Sequence, residues 1–218
     1  AARLHYFDAE LARLSTALGK SLPGKPIVEI LDESWDGGKK LIFAGSDVDP
    51  GRYYRFDTGS KELGELVALR PQLDKIKLAP MTAVTIKAGD GTAIPAFLTL
   101  PPDGRKTGLP AIIMPHGGPS SRDEWGFDWL SQYFAQLGYA VLQPNYRGSA
   151  GYGQDYYVKN GFQSWPTAIG DINDSARWLA AQGIADPKRT AIFGWSYGGY
   201  AALQAAITDP ALYKAVVA

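Results

Sequence analysis

The sequence contains no cysteine among its 218 residues and only two histidines, His5 and His116. The absence of cysteine excludes disulfides, thiolate catalysis and cysteine-based zinc sites, but it does not fix the compartment. The formal net charge is zero, and no basic tract is present that would neutralise nucleic-acid phosphates. No apolar run approaches the ~20 residues of a membrane span, and the N-terminus lacks a signal-peptide layout. We therefore expect a soluble protein, cytoplasmic rather than periplasmic, with neither nucleic acid nor membrane among its partners.

The most informative segment runs from Ala191 to Tyr200, where an apolar strand pattern ends in Gly-x-Ser-x-Gly and a helix pattern follows. A nucleophile elbow needs this order of strand, sharp turn and helix, because the turn lifts the serine hydroxyl clear of the sheet. Gly194 and Gly198 flank Ser196 since side chains there would crowd the turn. The helix directs its first N–H groups at developing negative charge. The pattern predicts a nucleophilic Ser196, and the alternative is a glycine-rich turn with a capping serine.

A general base for Ser196 is missing from the expected place in the sequence. The triad of α/β-hydrolases follows the order Ser, Asp or Glu, His, but only Asp209 and no histidine follow the serine. We expect the acid and the histidine within roughly 120 residues after Ala218. The alternative is a triad of His116, Asp171 and Ser196, in the chymotrypsin order. A histidine that begins an oxyanion loop usually directs its ring into loop hydrogen bonds, so we expect structural support from His116.

The chain divides into two regions of different pattern, 1–72 and 73–218. The first has a helix pattern from Asp8 to Lys20, then four short strands separated by tight turns over roughly 40 residues, which matches one β-propeller blade. A small independent β domain is the alternative. The second begins with a hairpin and alternates strands with helices, the helix patterns covering 123–137 and 172–182. This alternation predicts an α/β fold with a mostly parallel sheet covered on both faces, and a partner segment is expected to cover its open edge.

The segment His116-Gly-Gly-Pro119 follows a buried strand, at the sheet edge where α/β enzymes place their active sites. In hydrolases such a loop donates one N–H to the oxyanion hole. We assign that donor to Gly118 and the second to the N–H of Tyr197, the residue after the nucleophile. Loss of one donor typically costs ~100- to 1,000-fold in rate. The alternative is a tight turn that needs glycine torsions.

The segment Asn145-Tyr-Arg-Gly-Ser149 follows the next strand and predicts a loop that folds over the site. Tyr146 or Arg147 would then contact substrate, and an ion pair of Arg147 with Asp171 or Asp174 is an equal alternative. Trp195 and Tyr197 flank the nucleophile and are expected to wall the acyl pocket, or simply to pack.

The segments 116–119, 145–149 and 194–200 together resemble motifs of the prolyl oligopeptidase family, above all of its acylaminoacyl-peptidase and dipeptidyl-peptidase branch. The run from Asp90 to Pro101 also resembles the start of that family's hydrolase domain. The resemblance implies a serine peptidase in which an N-terminal β-propeller gates an α/β-hydrolase domain and admits short peptides. By motif, Ser196 would be the nucleophile, and Tyr197 and Gly118 would form the oxyanion hole.

The expected function is a serine peptidase that works through an acyl-enzyme, with this chain inactive alone because the triad Asp and His are absent. Neither a metal nor an organic cofactor is expected. The expected partners are a short peptide substrate and the remaining part of the same protein, with a homo-oligomer left open. A carboxylesterase is one alternative, disfavoured by the blade-like region. A non-catalytic scaffold that kept the fold and lost its base is the other.

Overall fold

The computed structural model describes residues 4–22, 24–159 and 164–218, which form two compact units. The first unit contains the residues up to Leu78 together with Trp125–Trp129. The second contains Ala79–Glu124 and Leu130–Ala218. The sequence placed the division after residue 72 and did not anticipate the return of Trp125–Trp129 to the first unit. Within the described ranges, no helix is both long and apolar enough to cross a membrane.

The first unit pairs a helix with a four-stranded antiparallel sheet. The helix α1 begins where the Asp8 carboxylate accepts hydrogen bonds from the N–H groups of Glu10 and Leu11. Its buried Leu18 joins a core with Ile42 from the sheet. The strands lie in sequence order as a meander. The bounds are α1 Ala9–Ser21, β1 Ile27–Glu33, β2 Lys39–Ser46, β3 Asp49–Asp57 and β4 Leu63–Ala68, followed by a 3-10 turn at Pro71–Leu73.

Strand β3 includes Asp49-Pro-Gly, a sequence that is typical of a turn. This segment is paired with β2 beside a register shift between Ala44 and Ser46. Gly51 has φ 105°, and a Cβ there would lie under 3.0 Å from the Phe43 ring. A bulge of this kind accommodates proline and glycine inside a strand.

The second unit is built on a six-stranded sheet of order β10-β9-β7-β8-β6-β5. The four strands from β10 to β8 are parallel, and β6 and β5 add an antiparallel hairpin at one edge. The strands are β5 Met81–Lys87, β6 Ala93–Thr99, β7 Leu109–Ile113, β8 Ala140–Pro144, β9 Ala185–Phe193 and β10 Ala215–Val217. The elbow strand β9 begins before Ala191, where the apolar pattern of the sequence starts. The mostly parallel sheet agrees with the expectation.

Helices cover both faces of this sheet, as the alternating pattern predicted. The helices are α2 Trp129–Gln136, α3 Trp165–Ala181 and α4 Tyr197–Thr208, and a five-residue π-helical turn lies at Asp155–Lys159. Leu142 packs with α3 and α4 on one face, and its neighbour Val141 packs with Leu130 of α2 on the other. Adjacent strand residues point to opposite faces, so one short strand contributes to two cores.

The two predicted helices have different starts in the structure. The expectation that a helix begins at Asp123 was wrong, because α2 begins at Trp129. The Asp123 backbone is bonded instead by the Asn145 side chain, through both its N–H and its carbonyl. Helix α3 begins at Trp165, earlier than the expected Ile172, with Pro166 in the first turn, where proline is tolerated.

Candidate active site

Ser196 occupies the turn between β9 and α4. Its φ and ψ are 56° and −130°, a backbone conformation that costs a residue with a Cβ about 1–3 kcal/mol. Its side chain is exposed and makes no capping hydrogen bond to the helix. The alternative of a capping serine therefore does not describe this residue. A strained and exposed serine between a strand and a helix has the geometry of a nucleophile elbow.

The two glycines of the elbow are required by close backbone packing. A Cβ on Gly194 would lie under 3.0 Å from the Gly198 carbonyl group, and a Cβ on Gly198 would lie equally close to Pro115 O. Real Cβ atoms essentially never approach a backbone atom so closely. The elbow is therefore packed directly against the segment that follows β7, and the strained turn has no room to relax.

The loop after β7 lies beside the nucleophile. A Cβ on Gly117 would lie 3.6 Å from Ser196 Cβ and 3.8 Å from Ser196 Oγ. Gly118 has φ 121°, and a Cβ there would lie 2.7 Å from Ser120 N. Gly118 therefore requires glycine for its conformation, whereas a side chain on Gly117 would fit at ordinary contact distance and would cover the serine hydroxyl. The first N–H groups of a helix lack partners within the helix. Tyr197 is the first residue of α4, so its N–H is one of these groups. The oxyanion roles of Gly118 and Tyr197 remain predictions that this arrangement supports.

His116 holds the loop from its first residue. Its Nδ1 lies 2.7 Å from Gly117 O, and its Nε2 lies 2.7 Å from Ser149 Oγ. Burial lowers the pKa of the imidazole, and the hydrogen bond to Gly117 opposes that shift. Both ring nitrogens are engaged within the loop system, as expected for structural support. The alternative triad with Asp171 does not form, because that carboxylate bonds Arg147 instead.

Tyr146 and Arg147 were expected at the substrate, but the structure places both side chains in the interior. Tyr146 is fully buried, and its hydroxyl donates to His116 O over 2.7 Å. The Arg147 guanidinium donates to the buried Asp171 carboxylate, over 2.6 Å from Nη2 and 2.9 Å from Nε. Its Nη1 donates to Asp90 over 2.5 Å. The ion-pair alternative for Arg147 with Asp171 therefore describes the arrangement, whereas Asp174 bonds elsewhere.

The exposed rim of the elbow is aromatic. The Trp195 side chain is 57% exposed and packs edge-on against Phe193, with ring centroids 6.0 Å apart. The Tyr197 ring contacts Tyr200, with centroids 5.2 Å apart. The hydroxyl of Tyr197 is buried and has no hydrogen-bond partner among the described residues, and its burial raises the pKa of that side chain. The role of Trp195 as a wall of the acyl pocket remains a prediction.

Sequence reasoning missed two residues that hold the loop beside Ser196, Asn145 and Ser149. Both lie in the segment Asn145-Tyr-Arg-Gly-Ser149, but the expected substrate contacts were assigned to Tyr146 and Arg147 within it. Asn145 bonds the backbone of Asp123, and Ser149 bonds His116. A signal was present, because Asn and Ser at the end of a buried strand have polar atoms that need partners.

Comparison with known proteins matches residues 125–218 to the prolyl oligopeptidase family model. The chain belongs to the prolyl oligopeptidase family. It is 36% identical over 180 residues to dipeptidyl aminopeptidase BIII of Pseudoxanthomonas mexicana, which covers 79% of this chain and 25% of that relative. It is 32% identical over 118 residues to the human acylamino-acid-releasing enzyme, covering 54% of this chain and 16% of the relative.

Solved structures of prolyl oligopeptidase family relatives resemble the chain across both units. The puromycin-hydrolyzing peptidase of Mycobacterium tuberculosis superimposes with a TM-score of 0.71 at 29% identity, over 83% of this chain and 28% of that one. The acylaminoacyl peptidase of Pyrococcus horikoshii gives 0.67 at 25% identity, over 88% and 31%. The second unit thus has the α/β-hydrolase fold up to the strand after the nucleophile helix, and the first is a β-propeller blade. The chain spans about a quarter of the length of the dipeptidyl aminopeptidase.

Proposed function

We propose that the whole protein to which this chain belongs is a serine peptidase that cleaves short peptides through an acyl-enzyme. The observation that carries the proposal is the exposed Ser196 hydroxyl on a strained elbow, with Gly117 packed beside it. His116 is not free to act as its general base, because both of its ring nitrogens are engaged in hydrogen bonds within the loop. An Asp and a His from the rest of the protein complete the triad in this proposal.

The chemistry proceeds in two steps. Ser196 Oγ attacks the scissile carbonyl while its proton passes to the histidine, and the tetrahedral oxyanion accepts hydrogen bonds from the N–H groups of Gly118 and Tyr197. The histidine then returns the proton to the leaving amine as the C–N bond breaks, which leaves an ester on Ser196. Water hydrolyses that ester by the same route in reverse and frees the serine.

The proposed substrate class is a short peptide from which one or two N-terminal residues are released. The relatives named above include an aminopeptidase that is called dipeptidyl and an enzyme that is called acylamino-acid-releasing. The aromatic rim formed by Trp195 and Tyr200 supports an apolar side chain at the acyl position, because exposed aromatic rings bind apolar groups.

The test uses the whole protein, labelled with a fluorophosphonate and assayed on dipeptidyl and acylaminoacyl anilides and on simple esters. Wild type is expected to be labelled, Ser196→Ala to lose both labelling and turnover, and the matched control Ser60→Ala on an exposed turn to retain them. Turnover of esters without peptides would identify a carboxylesterase instead. Absence of labelling in the wild type would leave the non-catalytic scaffold.

A further inference from the structure

The segment after β8, Asn145–Ser149, lies beneath the oxyanion loop, and Tyr146 is its centre. The Tyr146 ring is stacked on the His116 ring, with centroids 4.4 Å apart and planes 14° apart. The same ring is stacked with that of Tyr197 at 6.0 Å and 24°. One fully buried side chain thus contacts the residue that begins the Gly118 loop and the residue that provides the other oxyanion donor.

Two hydrogen bonds at this place fix the direction of backbone N–H groups. In a trans peptide the C=O and the following N–H point in opposite directions. The Tyr146 hydroxyl bonds His116 O, so the Gly117 N–H is directed away from that hydroxyl. The His116 ring bonds Gly117 O, so the Gly118 N–H is directed away from the ring. The orientation of the predicted donor therefore depends on the placement of the ring that Tyr146 stacks against.

Two further contacts of the same segment hold the loop at its ends. The Ser149 hydroxyl lies 2.7 Å from His116 Nε2 and donates to Tyr146 O over 2.6 Å. At the far end, the Asn145 carboxamide accepts from Asp123 N over 2.7 Å and donates to Asp123 O over 3.0 Å. The loop from His116 to Asp123 is thus tied to one support at both ends.

Arg147 ties that support to the body of the unit. Its backbone N–H and its guanidinium both donate to the Asp171 carboxylate of α3, whose side chain is wholly buried. The guanidinium also donates to Asp90 in the turn between β5 and β6. The backbone that carries Tyr146 is thus held at its next residue by charged hydrogen bonds to two other elements.

We propose that Tyr146 is the positioning residue of the oxyanion hole. It orients His116, whose ring and carbonyl set the direction of the Gly117 and Gly118 N–H groups, and it packs against Tyr197 at the other donor. This inference rests on the proposed function. It also gives Tyr146 a role beneath the oxyanion loop in place of the substrate contact that was expected from the sequence.

The test compares Tyr146→Phe with Tyr213→Phe in the whole protein. Tyr213 is also buried, and its hydroxyl donates to Asn173 over 2.9 Å away from the elbow. Tyr146→Phe keeps the ring and removes the hydroxyl, so kcat is expected to fall about 10- to 100-fold, as for a misplaced catalytic group. KM should stay within about threefold, because substrate binding is not touched. Tyr213→Phe should lower the thermal midpoint similarly and leave kcat within about twofold.

A peptide aldehyde gives a readout that a merely structural role would not move. It adds reversibly to Ser196 and places an oxyanion in the hole, so its inhibition constant should rise in Tyr146→Phe by the factor that kcat loses. A kcat and an aldehyde affinity that match those of Tyr213→Phe would overturn the inference. If Tyr146→Phe does not fold, Ser149→Ala removes the other support of the His116 ring and must show the same parallel loss. A wild type that fluorophosphonate does not label would overturn the proposed function and this inference together, whereas a labelled wild type isolates the inference.

Discussion

The ion pair of Arg147 and Asp171 should be the most sensitive charged contact of the second unit. Arg147→Met removes the guanidinium and keeps the apolar stem, so the Asp171 carboxylate would remain buried with the backbone N–H of residue 147 but without its charged partner. Breaking one side of a buried pair costs about 3–5 kcal/mol. Asp171 is 0% exposed and the Arg147 side chain 10%, which places this pair within that range. By contrast, the Asp90 side chain is 53% exposed, so solvent screens its contact with Arg147 and Asp90→Asn should destabilise the protein far less than Arg147→Met.

The pH dependence provides the decisive measurement. Burial raises the pKa of Asp171, and the hydrogen bonds from Arg147 oppose that shift. Without the arginine, the folded-state pKa should lie well above the unfolded value. A raised pKa contributes stability at low pH that is lost as the pH rises through the folded-state pKa, so the deficit of Arg147→Met should shrink on acidification, by at most about 1.4 kcal/mol per pH unit. Guanidinium unfolding of wild type, Arg147→Met and Asp90→Asn at several pH values tests this. A deficit under about 1 kcal/mol at neutral pH, or one that does not change with pH, would refute the reasoning.

Three further changes test the elbow and its loop. Gly198→Ala should destabilise the protein by about 1–3 kcal/mol and abolish labelling of Ser196, because its Cβ would meet Pro115 O. The control is Gly199→Ala, where the atom nearest to the new Cβ lies 3.4 Å away, and equal effects of the two substitutions would contradict this prediction. Ser196→Gly should raise the unfolding free energy by about 1 kcal/mol, because glycine relieves the strain of the positive φ. Ser196→Ala keeps a Cβ and should leave the unfolding free energy without this gain, so a gain in both variants would exclude strain as the cause. Burial lowers the pKa of His116, so its contribution to stability is complete above about pH 6.5 and is lost as the pH falls through the folded-state pKa. This part of the acid dependence should be absent from His116→Gln, and identical curves of unfolding free energy against pH for the two proteins would contradict the prediction.

The parts of the site that follow from local constraints could be predicted from the sequence. A turn that packs against backbone atoms leaves no room for Cβ at Gly194 and Gly198, so the requirement is visible as two glycines around Ser196. The support role of His116 was also predictable, because a histidine that starts such a loop has polar atoms to satisfy. The alternating pattern of the second region predicted the sheet for the same reason, since strand burial and helix burial have different periods.

The parts that depend on distant partners could not be predicted. The segment before α2 is an example, because the Asn145 carboxamide bonds the Asp123 backbone from 22 residues away. The interior position of Arg147 follows from its pairing with Asp171, also distant in sequence. A motif at the end of a strand indicates proximity to the active site, but whether its side chains point to the substrate or beneath the loop depends on which partners the fold places below.

The interior beneath the oxyanion loop contains hydrogen-bonded polar groups, although apolar side chains could also fill it. Apolar side chains of similar volume would fill the same space and would often stabilise the protein more. They would not, however, specify the direction of a peptide N–H, because packing forces are not directional. The hydroxyl of Tyr146 and the ring of His116 each fix one peptide plane beside Ser196. An oxyanion hole is effective only if its donors point correctly before charge develops. The proposed site therefore requires directional hydrogen bonds in its foundation, and the salt bridge of Arg147 fixes that foundation to the sheet and to α3.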